Sequence, residues 1–182
     1  MMDRQDNELV RRCLKGETSA FETLIDKYQK PIFNLAFRMT KNMEDAEDLT
    51  QTVFIKAFQK LELFRFNYKF FSWIYRIAVN ESLNFLNQRK RLAELDIKVV
   101  SSEKTPDEIV QDEELSRQVQ DGLMVLNPEY RILIILKHFH MLSYREIAYI
   151  VDIPEKKVKS RLFTARHLLK DALLEKGFMR HA

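Results

Sequence analysis

Turn-forming residues are nearly missing from this chain: three glycines and four prolines among 182 residues. A sheet needs such residues every ~8–12 positions to reverse direction, and that supply is not here. Apolar residues instead recur at spacings of three and four, the mark of amphipathic helices. The expected fold is all-α, helices joined by short polar links. An apolar share of 46% is ordinary for a folded protein and argues against wholesale disorder.

Ser19 and Glu22 have the spacing of a capping box, opening a helix with Phe21, Leu24, Ile25 and Tyr28 on one face. Pro31 is expected to kink or break it before residues 32–39 resume. Asn42 followed by Asp45 caps a second helix, whose buried stripe is Ala46, Leu49, Val53, Ala57 and Leu61. Residues 64–71 have no clean period and form a loop, and a third helix spans about residues 72–91. Residues 94–114 turn acidic and lose periodicity, which predicts a flexible linker, with some helix after Thr105. Asn127 and Pro128 start a further helix; Ser143 to Glu146 is another capping box; Pro154 opens the last long helix, which Gly177 stops.

The net charge of +3 hides a strong division. Residues 1–93 carry +4, residues 94–114 carry −6 and residues 115–182 carry +5. Two basic blocks about an acidic bridge suggest two small modules that meet a polyanion. No apolar run is long enough to cross a bilayer, and no charged-then-apolar leader follows Met1, so no direct membrane insertion is expected. The single cysteine, Cys13, cannot make an internal disulfide, which suits a reducing cytoplasm.

Residues 143–170 have the layout of a helix-turn-helix: a short capped helix, a tight turn at Asp152, then a helix with Val158, Leu162, Ala165 and Leu169 inward. Its outer side carries Lys156, Lys157, Lys159, Ser160, Arg161, Phe163, Thr164 and Arg166. So basic a helix repels itself unless it neutralises phosphates, and Arg and Ser can also read base edges. A merely solvated basic helix is the plain alternative; the capped helix and turn before it favour DNA contact.

The helix after Asn42 has a second side bearing Asp45, Asp48, Gln51, Thr52 and Ile55. An isoleucine beyond an acidic and amide row suits burial by a protein partner better than solvent. The next helix carries Arg76, Asn80, Asn84, Asn87, Gln88 and Arg91 as one stripe. Asparagine is a mediocre helix former, so three on one face run against local propensity, while amides and guanidinium groups suit base edges and phosphates. Just before it, aromatic rings alternate with Arg65, Asn67 and Lys69. Aromatics beside basic residues suit unstacked single-stranded bases, although some of the rings must be core.

These stretches resemble the sigma-70 superfamily, specifically its extracytoplasmic-function branch. DAEDLTQTVFIKAF (45–58) resembles region 2.2, FFSWIYRIAVNESLNFLNQRKR (70–91) resembles region 2.4 with the loop before it, and residues 126–170 resemble region 4. The resemblance implies a sigma factor that binds core RNA polymerase and directs promoter-specific initiation. Residues 1–93 are then region 2, residues 94–114 the linker and residues 115–182 region 4. Asp45, Asp48, Gln51, Thr52 and Ile55 grip the clamp helices of the largest polymerase subunit, and region 4 docks on the flap of the second-largest. Phe64, Arg65, Asn67, Lys69, Phe71, Arg76, Asn80 and Asn84 take melted −10 DNA. Arg145, Lys156, Lys157, Lys159, Ser160, Arg161, Phe163, Thr164 and Arg166 take the −35 duplex. The branch is typically silenced by an anti-sigma factor and acts in the cytoplasm. Two departures stand out: Phe66 and Tyr68 replace the usual small or polar residues, and Lys156-Lys157 replace the usual Gly-Thr.

Two rivals are weaker. A stand-alone helix-turn-helix regulator explains residues 143–170 but leaves the acidic helix face and the aromatic loop without a task. An enzyme, a cofactor or a metal is not expected. His138 and His140 are two apart, so on a helix they diverge by roughly 200°, and no phosphate-cradling glycine loop exists.

Overall fold

A computed structural model describes residues 2–95 and 113–177. The acidic linker and the helix start near Thr105 lie, apart from the linker's ends, outside the described residues. Among the described residues there are helices, turns and loops but no strands, as the all-α expectation requires. No described helix is long and apolar enough to cross a membrane.

The first module comprises α1 (Met2–Leu14), α2 (Thr18–Thr40), α3 (Met43–Gln59), a 3-10 turn (Leu61–Leu63) and α4 (Phe70–Glu94). Helix α1 is absent from the sequence-based expectation; Leu9 and Val10 are its buried apolar residues among those described. It is fastened to α2 by Asp6, 1% exposed, which accepts a hydrogen bond from the Tyr28 hydroxyl at 2.6 Å and pairs with Lys27. Replacing Asp6 with alanine removes a buried carboxylate that accepts from the Tyr28 hydroxyl and pairs with Lys27, so urea unfolding should show a loss of about 2–3 kcal/mol. Asp6→Asn keeps an acceptor and should lose less. Equal stability of Asp6→Ala and wild type would show that this pair does not fasten α1.

Two expectations about α2 need correction. The helix starts at Thr18 with Glu17 at its N-cap and no side-chain cap, so Ser19 and Glu22 form no capping box. Gly16, at a φ of 93°, turns the chain, and Glu17 accepts from Arg12 Nε at 2.8 Å, which brings the chain into the helix earlier. Nor does Pro31 break the helix; α2 runs through it. Proline removes one intrahelical bond, but Leu24, Tyr28, Ile32 and Leu35 on both sides of it are buried in the same core. Each such aliphatic burial contributes roughly 1.5–3 kcal/mol, enough to offset one missing bond.

At α3 the Asn42 side chain accepts from the Asp45 amide at 2.9 Å, and Ala46, Leu49, Val53 and Ala57 are buried as their spacing predicts. Helix α4 starts at Phe70, two residues before the expected position, because Phe70 is wholly buried against Phe64 and Trp73. Cys13 is half-buried, and burial raises its thiol pKa.

The second module comprises α5 (Glu113–Val125), α6 (Pro128–Ile134) continued by a π-helical turn (Ile135–Phe139), α7 (Tyr144–Val151) and α8 (Glu155–Glu175). Asn127 accepts from the Tyr130 amide, and Ser143 with Glu146 makes the full reciprocal capping box. Asp152 ends α7 in the left-handed region at φ 57°, which aspartate tolerates. Val158, Leu162 and Ala165 of α8 are buried against α6 and α7, and Leu169 is partly so.

The two modules do not lie apart. A single apolar cluster runs from Leu24 and Ile74 of the first to Ile147 and Leu162 of the second. The seam has two ends, α4 on α7 and the end of α2 on α5 and α6.

Candidate nucleic-acid interface

Asp48, Gln51 and Ile55 are exposed and Thr52 is half-buried, so an acidic, amide and aliphatic row faces solvent. Ile55 is 57% exposed, and Phe58, 55% exposed, extends the apolar part beyond what the sequence pattern suggested. Asp45 differs: it is half-buried and accepts from Arg89 at 2.6 Å, which ties α3 to α4. Lys56 and Glu81, 2.6 Å apart, tie the same pair of helices.

The aromatic loop divides into core and surface. Phe64 is 5% exposed, with its ring packed edge-on to Phe66, Phe70 and Trp73. Phe71 is half-buried on Tyr75, ring centroids 4.2 Å apart. Both pack within and beneath the loop, as expected of some of its rings. The exposed rings are Phe66 and Tyr68, and Arg65, Asn67 and Lys69 are exposed beside them. Leu63, Arg65, Tyr68, Trp73, Arg76 and Tyr149 line a cleft of about 300 Å³.

Along α4, Asn80, Asn84, Asn87, Gln88 and Arg91 are all exposed, while Ile74, Ala78 and Val79 are buried. The polar stripe is thus an open surface on a helix anchored by its other side. Arg76 is the exception: its guanidinium donates to the Tyr149 carbonyl at 3.2 Å and pairs with Asp152 at 2.8 Å.

On α8, Lys156, Lys157, Lys159, Ser160, Thr164 and Arg166 are exposed, Phe163 is 64% exposed, and Arg145 is exposed on α7. Some of this charge is held locally. Lys159 pairs with Glu155 at 2.9 Å, Arg161 with Glu129 at 3.2 Å, and Arg166 donates to His138 Nε2 at 3.2 Å. These contacts are exposed and weak, so a phosphate can displace them at little cost. The histidine pKa at His138 is lowered by burial, then by Arg166 and Lys137.

What sequence reasoning missed is how α7 meets the loop. Lys69 pairs with Glu146 at 3.1 Å, Tyr68 stacks on Tyr149 with centroids 4.5 Å apart, and Tyr75 shares a 2.9 Å hydrogen bond with His140. Burial raises the Glu146 carboxyl, but hydrogen bonds from the Ser143 hydroxyl and amide, with Lys69, outweigh it and hold the pKa below its ordinary value. No periodicity marks such a pairing, since nothing within a turn of either partner points to the other.

Comparison with known proteins gives the same two-part division. A family model described as Sigma-70 region 2 matches residues 24–92, and one described as Sigma-70, region 4 matches residues 116–169. The chain is 32% identical over 184 residues to the ECF RNA polymerase sigma factor SigW of Bacillus subtilis, covering 94% of this chain and 98% of that one. Its fold is similar to CnrH, solved in complex with the cytosolic domain of CnrY: TM-score 0.72, 26% identity, 94% of this chain and 98% of that chain covered. It is also similar to the sigma factor RpoE of Bartonella quintana, solved in complex with the anti-sigma factor NepR: TM-score 0.71, 25% identity, 84% and 96% covered. An acidic α3 face, an amide-lined α4 and a basic helix-turn-helix, matched end to end along near full-length relatives, place the chain in the extracytoplasmic-function branch of the sigma-70 superfamily, whose members are RNA polymerase initiation factors and not enzymes.

Proposed function

We propose a division of labour between the modules, residues 1–93 and 115–182, with residues 94–114 as the joining segment. The α3 face, through Asp48, Gln51, Thr52 and Ile55 with Asp45 at its edge, holds the clamp helices of core RNA polymerase. The aromatic loop and α4 take melted −10 DNA: Arg65, Asn67 and Lys69 on the backbone, Asn80 and Asn84 on bases, Arg76 once its contacts to α7 open, and Phe64 and Phe71 as the packed support beneath. The second module docks on the polymerase flap and reads −35 duplex with Lys159, Ser160, Arg161 and Phe163, while Arg145, Lys156, Lys157, Thr164 and Arg166 serve the phosphates.

The observation that carries this reading is the exposed amide stripe of α4, costly to helix propensity and unused by the fold. Because the module binds only the opened strand, it draws melting forward by selecting that state. The chain works in the cytoplasm, on this proposal, under an anti-sigma factor that covers its polymerase-binding faces; two solved structures similar to it, those described above, were each captured with a second protein, one of them an anti-sigma factor.

Run-off transcription with core polymerase and genomic DNA tests the whole. Specific start sites sharing upstream elements are expected; no association with core enzyme under any condition would refute it. Within that assay, Asn80→Ala should lower open-complex formation roughly tenfold or more, the loss of one base contact of about 1–3 kcal/mol. Binding to core polymerase should be unchanged. Normal opening by Asn80→Ala would remove α4 from the −10 assignment.

A further inference from the structure

The contacts between α7 and the first module follow a particular order. Glu146 sets a carboxylate on Lys69 at 3.1 Å. Next along the helix, the Tyr149 ring lies on Tyr68 at 4.5 Å with 22° between planes, a stacked pair. Asp152 then sets a second carboxylate on Arg76 at 2.8 Å. Anion, planar ring, anion is the chemistry of a single strand of nucleic acid, with phosphates flanking a base.

We propose that α7 is an internal stand-in for promoter DNA, seated in the free chain on the residues that must otherwise take the melted strand. The inference rests on the assignment of the loop and Arg76 to −10 DNA. Closure engages the side chains of Tyr68, Lys69 and Arg76 with α7 and leaves Asp48 and Ile55 exposed, so the closed chain can meet polymerase while the strand must first displace α7. The two ion pairs are exposed enough to be screened by salt and displaced by a polyanion. Strand and α7 therefore compete for one surface, and the apparent affinity for DNA is reduced by the fraction of chain that is open.

The conservative variants preserve the local fold. Glu146→Gln keeps a residue able to complete the capping box, and Asp152→Asn keeps one that tolerates the left-handed position. A full-length chain with Cys13→Ser carries a dye pair at Gln29→Cys and Asp171→Cys, both exposed positions, to read closure by energy transfer. Binding is read by anisotropy with a fluorescein-labelled single-stranded oligonucleotide of mixed sequence.

The expected result is that E146Q/D152N lowers energy transfer and binds the oligonucleotide roughly threefold or more tightly. A variant losing the same charge away from the joint, E22Q/D26N, should do neither. If E146Q/D152N binds no more tightly than E22Q/D26N while Arg76→Ala weakens binding, the masking is wrong and the DNA assignment stands. If Arg76→Ala leaves binding unchanged even when added to E146Q/D152N, the DNA assignment fails and the masking falls with it.

Discussion

Alanine in place of Arg131 is expected to lower the unfolding free energy by about 3 kcal/mol or more. The side chain is 5% exposed and its guanidinium is fully employed. It donates to the carbonyls of Leu123 at 3.0 Å, Met124 at 3.2 Å and Leu126 at 2.9 Å, and to that of Met39. Three of these oxygens belong to the end of α5 and the chain just after it, where helix carbonyls lack the usual partner four residues on; that of Leu123 also accepts from the Leu126 amide at 3.1 Å. The fourth lies near the end of α2, in the other module. One cation thus caps two helix ends and joins the modules. Burial lowers the arginine pKa, but guanidinium titrates too high for this to remove its charge at neutral pH.

Removing it leaves several buried acceptors without donors, and each such group costs about 1–3 kcal/mol. Arg131→Lys should recover only part of the loss, because an ammonium lacks the planar fork that reaches carbonyls on two sides. Urea unfolding measures both variants. Wild-type stability in Arg131→Ala would show that water replaces the guanidinium, and that the α2 end of the seam is held by its apolar contacts together with Gln120 on the Arg38 carbonyl and Lys41 paired with Asp121.

A second large effect should appear on mild acidification. His140 is held at about 4, down from 6.5, by burial first and then by the nearby Arg38 cation. It faces Tyr75 of α4, whose phenol is raised by burial, and Arg38 of α2, which lies over the Phe139 ring at 3.7 Å. Its Nε2 is buried without a hydrogen-bond partner among the described residues, so nothing there welcomes a second proton. The folded form declines a proton between pH 6.5 and 4 that the unfolded form accepts. Stability therefore falls as pH drops through that window and stops falling from this cause below 4. From pH 7 to pH 5 the loss is about 2 kcal/mol, and about 3 kcal/mol for the whole window.

Unfolding free energies measured at pH 7, 6 and 5 check this. Glu146 contributes in the same direction, but only below its ordinary value of 4.5, so the measured range isolates the histidines. His140→Phe should flatten most of the dependence, leaving the smaller share of His138. An undiminished slope in His140→Phe would place the acid sensitivity elsewhere.

Much of the architecture was legible in the residues alone because its signals are local. Asn42, Asn127 and the Ser143–Glu146 box each satisfy amides within one turn, so their helices start where the spacing says. Asp152 supplies its left-handed turn by its own backbone preference, and the stripe Ala46, Leu49, Val53, Ala57 needs only a core to face. The exposed amides of α4 were equally visible, since nothing in a helix favours three asparagines on one side. Helix α1 was not, because its two buried apolar residues, Leu9 and Val10, make too short a stripe to stand out from a charged segment.

The course of α2 through Pro31, the burial of Phe64 and the whole seam between the modules came from elsewhere. Each depends on partners far along the chain: Pro31 is tolerated because residues on both sides share one core, and Phe64 is inside because Phe70 and Trp73 close over it. Lys69 with Glu146 and Arg131 with Met39 are separated by 77 and 92 positions. Helical period and capping chemistry report what a residue does within a turn of itself. Which two surfaces meet is settled by shape and charge at long range, and only the folded chain holds that information.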